Sequence, residues 1–201
     1  LQAYLPDSLH YQQEITQFAK QRVENGGEPI RIRIVKGANM EMEQCIASLN
    51  NWSQAPYTQK IETDANYKQM LSYEFKKENI EAVKIGVASH NIFEISFAKI
   101  LQSHRGIDAN DFEFEMLEGM ADHVRRSVQS LLGSVLLYAP IAKQEKFLNA
   151  IAYLVRRLVE NTDEDNFLSH SFDLKVGSTN WKNEEEKFIS SIEFIRKLGP
   201  S

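Results

Sequence analysis

Thiols are nearly absent from this chain. Cys45 is its one cysteine, which excludes an internal disulfide framework and a thiolate zinc cluster and fits a reducing compartment. Positive charge is not in excess: 23 Lys and Arg stand against 28 Asp and Glu, and a formal net charge of -5 offers no basic surface to nucleic acid. No apolar run approaches the roughly 20 residues that cross a bilayer, and the first residues do not read as a secretory signal. The expectation is a cytoplasmic protein, with peripheral contact at the inner face of a membrane left open. Glycine-rich phosphate loops are missing too. Without Gly-x-Gly-x-x-Gly or a Walker-type loop, neither a Rossmann site nor a P-loop is supported. His10, His90, His104, His123 and His170 never fall at metal-ligand spacing, so no metal site is expected.

What remains is ordinary globular composition: 201 residues, 42% apolar and 25% charged, enough for one sizeable core. Short β-rich runs read as strands at Gln2–Tyr4, Ile30–Lys36, Val83–Ser89, Phe112–Leu117 and Val135–Tyr138. Helical patterns fill the gaps. Asp7 to Asn25 is closed by Gly26-Gly27, Thr63 or Asp64 is positioned to cap a helix that turns Tyr67, Met70, Leu71 and Phe75 inward, and Asn91–Leu101, Gly119–Leu132 and Lys143–Asn161 follow. This alternation argues for a parallel sheet wrapped by helices, a (β/α) barrel or a doubly wound sheet. Polar residues at the strand ends (Gln2, Lys36-Gly37, Ser89-His90, Glu118, Tyr138) lie where a barrel places its active site. A barrel needs eight strands and typically about 250 residues, so the expectation is a fragment of a larger domain. After Asn161 the periodicity stops, and Trp181–Leu198 resumes as an amphipathic helix in what reads as an appended tail.

Within the strand Ile30-Arg31-Ile32-Arg33-Ile34-Val35-Lys36, the arginines and Val35 share the face opposite the isoleucines. A buried Arg33 needs an anionic or hydrogen-bonding partner, which makes it a ligand-binding candidate; an edge strand with both arginines in water accounts for the pattern equally well. Gly37-Ala38 gives small residues where a ligand can approach the backbone. His90 opens a strand-to-helix junction, where a capping or structural role is the commoner one. Glu113, Glu115 and Glu118 follow strand parity inconsistently, and no glycosidase pair is named from them. Arg125-Arg126 reads as a solvated helix face. The helix around Tyr153-Leu154-Val155-Arg156-Arg157-Leu158-Val159-Glu160 carries an apolar stripe of Phe147, Ile151, Leu154 and Leu158, with Tyr153, Arg156, Arg157 and Glu160 pointing away from it. Those groups suit a carboxylate ligand, or simply a solvated face with an Arg156/Glu160 pair.

The ordered runs Ile34-Val35-Lys36-Gly37-Ala38, Thr63-Asp64, Ala88-Ser89-His90-Asn91, Leu117-Glu118-Gly119-Met120, Leu137-Tyr138-Ala139-Pro140 and Tyr153 through Asn161 resemble the flavin-dependent proline dehydrogenase family, most closely the domain found in bifunctional proline utilization A enzymes. The resemblance implies a (β/α)8 TIM-type barrel. Residues 1–170 would be its C-terminal part, roughly strands 4–8, and 171–201 a connecting segment leading toward an aldehyde dehydrogenase domain. It implies FAD as cofactor, L-proline as substrate, Δ1-pyrroline-5-carboxylate as product and membrane quinone as electron acceptor. Carried over by motif, Gln2, Arg33, Val35, Gly37, Ala38, Thr63, His90, Asn91 and Glu160 would serve FAD, with Lys60 a weaker phosphate candidate. Arg156 and Arg157 would grip the proline carboxylate, and Tyr138 and Leu117 would line the pocket. The family's Gly-Ala-Tyr-Trp loop is Gly37-Ala38-Asn39-Met40 here, and its pocket lysine and aspartate belong to strands before this chain begins, so the chain by itself is expected to be inactive. The competing expectations are a non-flavin barrel for a small carboxylate or phosphate, and a non-catalytic scaffold.

Overall fold

The computed structural model describes residues 1–162 and 166–198. In chain order its elements are α1 (Ser8–Glu24), β1 (Ile30–Ile34), α2 (Met40–Asn50), α3 (Lys60–Glu74), a single turn α4 (Lys77–Ile80), β2 (Val83–Ala88), α5 (Ile92–Arg105), β3 (Phe112–Leu117), α6 (Asp122–Leu132), β4 (Val135–Tyr138), α7 (Phe147–Thr162), α8 (Phe167–His170) and α9 (Thr179–Phe194). The strands form one parallel sheet in the order β1-β2-β3-β4, without the reversal of a doubly wound fold. Parallel neighbours need long crossovers, and the helices supply them.

Alternation sorts the sheet into two unlike faces. Ile32 and Ile34 of β1, Val83, Ile85 and Val87 of β2, and Phe112, Phe114 and Met116 of β3 are buried against α1, α3 and α5, where Leu9, Tyr67, Met70, Leu71, Ile95 and Ala98 complete the core. Each such side chain contributes about 1.5–3 kcal/mol by leaving water. Phe112 sits edge-on to both Phe75 and Phe114, with centroids 5.5 and 5.3 Å away. The other face carries Arg31, Arg33, Glu113, Glu115 and Tyr138, and becomes the candidate site.

Three expectations need correction. The segment Gln2–Tyr4 makes an isolated bridge, Gln2 to Val35, rather than a strand. The Ala3 and Tyr4 N–H groups donate to the Val35 and Lys36 carbonyls at 2.8 Å, but Pro6 has no N–H to continue the ladder and α1 begins at once. The helix expected to start at Thr63 or Asp64 starts at Lys60, because the Glu62 carboxylate accepts the N–H groups of Thr58 (3.1 Å) and Gln59 (2.9 Å) ahead of it. Finally, α7 is not seated on its apolar stripe. Phe147, Ile151, Leu154 and Leu158 are 61, 40, 48 and 65% exposed, while Ala150, Tyr153 and Arg157 form its half-buried side.

A buried polar contact joins α1 to α3. Glu74 is fully buried and accepts hydrogen bonds from Gln12 Nε2 at 2.7 Å and Thr16 Oγ1 at 3.1 Å. Burial outweighs those bonds and pushes its pKa up to about 7. The unfolded chain ionises Glu74 near the ordinary carboxylate pKa whereas the folded one holds the proton up to about pH 7, so stability is full below that ordinary pKa and falls as pH rises to 7. Glu74→Gln should therefore raise the thermal midpoint at pH 8 and leave it nearly unchanged at pH 4, the gain being at most about 3 kcal/mol. An equal effect at both pH values in a melting experiment would contradict the buried-proton assignment.

Candidate functional site

Arg33 is the centre of the polar face. Its Nε donates to Glu115 Oε2 at 2.5 Å, and its guanidinium lies over the Tyr138 ring, 4.5 Å from the centroid. Glu115 is 1% exposed and the arginine 38%, so the carboxylate is sunk into the sheet and the cation reaches outward. Arg33 and Glu115 belong to β1 and β3, with Gly86 of β2 between them. A Cβ on Gly86 would collide with the Glu115 carboxyl, lying 2.6 Å from its Cδ; glycine is what lets the pair close. One layer away, Arg31 and Glu113 repeat the pairing at 2.7 Å with more exposure. Glu113 and Glu115 thus share strand parity after all; only Glu118, beyond the strand end, breaks it. Arg33 does need an anionic partner, but the chain itself supplies one.

The strand C-termini bring further candidates to this face. Leu117 stands beside Tyr138 in the β3–β4 register. Its N–H donates to His90 Nε2 at 3.0 Å, which fixes the tautomer with the proton on Nδ1 and ties the end of β2 to the end of β3. Burial, then the Arg157 and Arg33 charges, lowers the His90 pKa below the ordinary histidine value, so the ring is neutral and presents its Nδ1–H. Arg157, on α7, is near enough for its charge to act on His90, and it stacks on Tyr153 at 5.0 Å. Arg156 is exposed on the same helix, and the Glu160 side chain lies outside the described residues.

The remaining candidates form the outer rim. Gln2, Gly37 and Ala38 are exposed and Val35 half-buried. Gly37 has φ +114°, a conformation that favours glycine, and a Cβ there would lie 2.7 Å from Cγ of the buried Tyr4 ring. Its small size thus serves Tyr4 packing on one side, leaving only its other side to a ligand. Asn39 and Met40, in place of the family's aromatic pair, begin α2. Asn91 uses its side-chain oxygen to cap α5 through the Phe93 N–H at 2.9 Å. Thr63 is buried, with Oγ1 sealed from solvent and without a hydrogen-bond partner, and Lys60 is exposed nearby on α3.

Sequence reasoning passed over a second charged group. Lys36 Nζ lies 2.5 Å from Asp64 Oδ1 and 2.9 Å from Glu94 Oε1, and the fully buried Lys68 reaches the same Glu94 oxygen at 2.6 Å. Glu94 and Lys68 read in sequence as ordinary polar helix positions, because the partner that buries them comes from the far tail. For Gly86 and Glu115 a signal existed: a glycine inside a strand, flanked by strands of alternating arginine and glutamate.

Comparison with known proteins places this arrangement. The model of the proline dehydrogenase family matches residues 1–170. The chain belongs to the proline dehydrogenase family. The bifunctional protein PutA of Rhizobium meliloti is 29% identical over 179 residues, 86% of this chain and 13% of that protein, and proline dehydrogenase 2 of Bacillus subtilis is 28% identical over 64% of this chain and 36% of its own length. Among solved structures, proline utilization A from Corynebacterium freiburgense superposes with a TM-score of 0.83 at 38% identity, over all of this chain and 19% of its own. The chain therefore spans between about an eighth and about a third of these relatives. The α/β fold with its parallel sheet is the family's.

Two outcomes test the site. Gly86→Ala should force the Glu115 carboxyl off Arg33 and lower unfolding free energy by about 2 kcal/mol in chemical denaturation, as expected when a half-buried ion pair is broken; an unaltered midpoint would show that the strand tolerates a methyl there. For His90, nitrogen NMR should find the Nδ1–H tautomer and a titration midpoint below the ordinary histidine value; a midpoint above it would contradict the buried, Leu117-bonded ring.

Proposed function

We propose that the whole protein of which this chain is part oxidises L-proline to Δ1-pyrroline-5-carboxylate, using FAD, as the first step of proline breakdown to glutamate. The observation that carries the reading is the convergence of Arg33, His90, Leu117, Tyr138 and Arg157 at the C-terminal ends of the parallel strands in a member of this family. The donor set suits a flat, anionic cofactor: a guanidinium orientated by a buried carboxylate, a neutral histidine N–H, an exposed glutamine and the exposed Gly37-Ala38 backbone. Gln2, Arg33, Val35, Gly37, Ala38, Thr63, His90, Asn91 and Glu160 would hold it, with Lys60 at its phosphate end. Thr63 Oγ1 would need a small shift of α3 to take part. When bound, the flavin supplies the acceptor for the hydride that leaves proline C5.

The residues of this chain bind and orient. Arg156 and Arg157 present guanidinium groups that match a carboxylate through paired charge-assisted hydrogen bonds. Leu117 and Tyr138 give the pyrrolidine ring an apolar wall, which limits its rotation and excludes water. Glu115 holds Arg33 in place and balances its charge.

The sequential parallel order, the exposed stripe of α7 and the exposed Leu136 and Leu137 of the terminal strand β4 support the further reading that these are roughly strands 4–8 of a (β/α)8 barrel, whose other strands cover them and add the rest of the substrate pocket. On that reading the chain alone is inactive. Segment 171–201 would lead to an aldehyde dehydrogenase domain. Membrane quinone is the proposed electron acceptor, which places the protein in the cytoplasm with contact at the inner membrane face. No described helix is long and apolar enough to cross a membrane.

Purified whole protein should show a flavin absorption spectrum that L-proline bleaches anaerobically; a colourless protein that takes up no FAD would turn the reading toward a non-flavin carboxylate site. In that protein, Arg156→Met and Arg157→Met should each raise the KM for proline at least about thirtyfold, the lower end of the ~2–5 kcal/mol range for truncating one side of a charge pair buried in the complex. An unchanged KM in steady-state kinetics would remove either arginine from the clamp.

A further inference from the structure

The Lys36–Asp64–Glu94–Lys68 cluster has no part in the chemistry above, yet it adjoins three segments of the cofactor rim. Lys36 leads directly into Gly37-Ala38, Asp64 follows Thr63, and Glu94 lies in the first turn of α5 after His90-Asn91. One Glu94 oxygen is shared by both ammonium groups, at 2.9 and 2.6 Å, so the ends of β1, α3 and the β2–α5 junction are tied through a single atom. Tyr67 adds a fourth tie, donating to the Ala88 carbonyl at 3.2 Å while Lys36 lies 5.8 Å from its ring centroid.

The Lys68–Glu94 end of the cluster, 0 and 3% exposed, is covered by α9, while Lys36 and Asp64 keep 23 and 14% of their side-chain exposure. Trp181, Glu184, Phe188 and Ser191 recur at helical spacing on its inward face. Phe188 turns its ring toward Lys68 Nζ, 4.7 Å from the centroid, and packs on Phe93 and Phe97 of α5, while Trp181 packs on Phe93 at 4.9 Å. Two ammonium and two carboxylate groups balance in charge, and exclusion of water strengthens the attraction between Lys68 and Glu94 most. Burial pulls the Lys68 pKa below the ordinary lysine value against the opposing pull of Glu94, whereas Asp64 and Glu94 together outweigh burial for Lys36 and hold it above. Lys68, with no exposure, has Glu94 as its carboxylate partner.

We propose that Lys68, Glu94 and Phe188 are positioning residues for FAD: α9 keeps water from the Lys68–Glu94 pair, and the cluster built on that pair fixes the three rim segments relative to one another. The inference rests on the flavin reading and extends it to residues that touch no ligand. Its mechanism is preorganisation, since a rim already held in the bound geometry loses less entropy on binding.

The test is a double-mutant cycle in the whole protein, reading the FAD dissociation constant from the fluorescence of released flavin at equilibrium. Phe188→Ala and Lys68→Met should each weaken FAD binding about tenfold, and the double variant should be within twofold of the weaker single, because both changes undo one device. Lys68→Arg, which keeps the charge, should restore affinity to within threefold of wild type. Wild-type affinity in both single variants, or a double variant about a hundredfold weaker, would overturn the proposal. If Phe188→Ala does not fold, the Lys68 pair decides: Met weak and Arg restored supports it, and any other ordering overturns it. A wild-type protein that binds no FAD would instead bring down the flavin reading itself, and this inference with it.

Discussion

An arginine on a strand whose alternate side chains are buried isoleucines has little freedom, and the site follows from how that constraint is met. The isoleucines of β1 fix which way Arg33 points, because slipping the register by one residue would turn them out of the core. With its direction fixed, Arg33 can be neutralised only across the sheet. The nearest carboxylate on that face is Glu115, on a strand that is not its neighbour, and the path is open because Gly86 has no side chain. The pair holds a cation at a defined height on the open face and lays it against Tyr138 at the far edge. Core packing on one side of the sheet thereby orders the chemistry on the other.

The rim is assembled by the same logic at a second level. Strand ends and loops gain little from the core, so they are fastened to each other by directional bonds: His90 to the Leu117 backbone, Tyr67 to the Ala88 carbonyl, Tyr4 under Gly37, and the Lys36 cluster beneath them all. Each fastening costs desolvation that pairing must offset; the cluster is neutral in sum, and one of its oxygens, Glu94 Oε2, is buried without a hydrogen-bond partner. A site on loops gains definition when ion pairs and hydrogen bonds tie those loops to the elements beneath them.

Much of this was legible in the chain. The strand runs from Ile30, Val83, Phe112 and Val135 were readable from continuous or alternating apolar character, since parallel strands buried against helices leave that trace. Arg33 was a candidate from strand alternation, His90 and Tyr138 from their places at strand ends, and Leu117 from motif resemblance alone. The short N-terminal run was not readable, because three residues carry too little pattern to separate a bridge from a strand. Nor was α2, whose Met42, Ile46 and Leu49 are exposed and give no inward face to detect. The carboxylate partners escaped because pairing across an intervening strand has no fixed sequence spacing. The Lys68 environment was hidden for a similar reason: its cover, Phe188, arrives more than a hundred residues later.

The orientation of α7 shows where local pattern and global placement part. Taken alone, its period predicts that Phe147, Ile151, Leu154 and Leu158 face the core and the arginines face water. In the structure Tyr153 and Arg157 are half-buried, with the Arg157 charge acting on His90, and the stripe is exposed. Both observations hold together if the helix serves two neighbours: a polar site that needs Arg157, and an apolar surface that belongs to the remainder of a barrel. A stripe wide enough to be a core face, on a helix already committed by its opposite side to a binding site, is what a strand-and-helix repeat looks like at the place where the next repeat packs. On the function proposed above, the helix that would bring the substrate's arginine would also be the seam to the rest of the barrel, and binding and barrel closure would depend on the same sixteen residues.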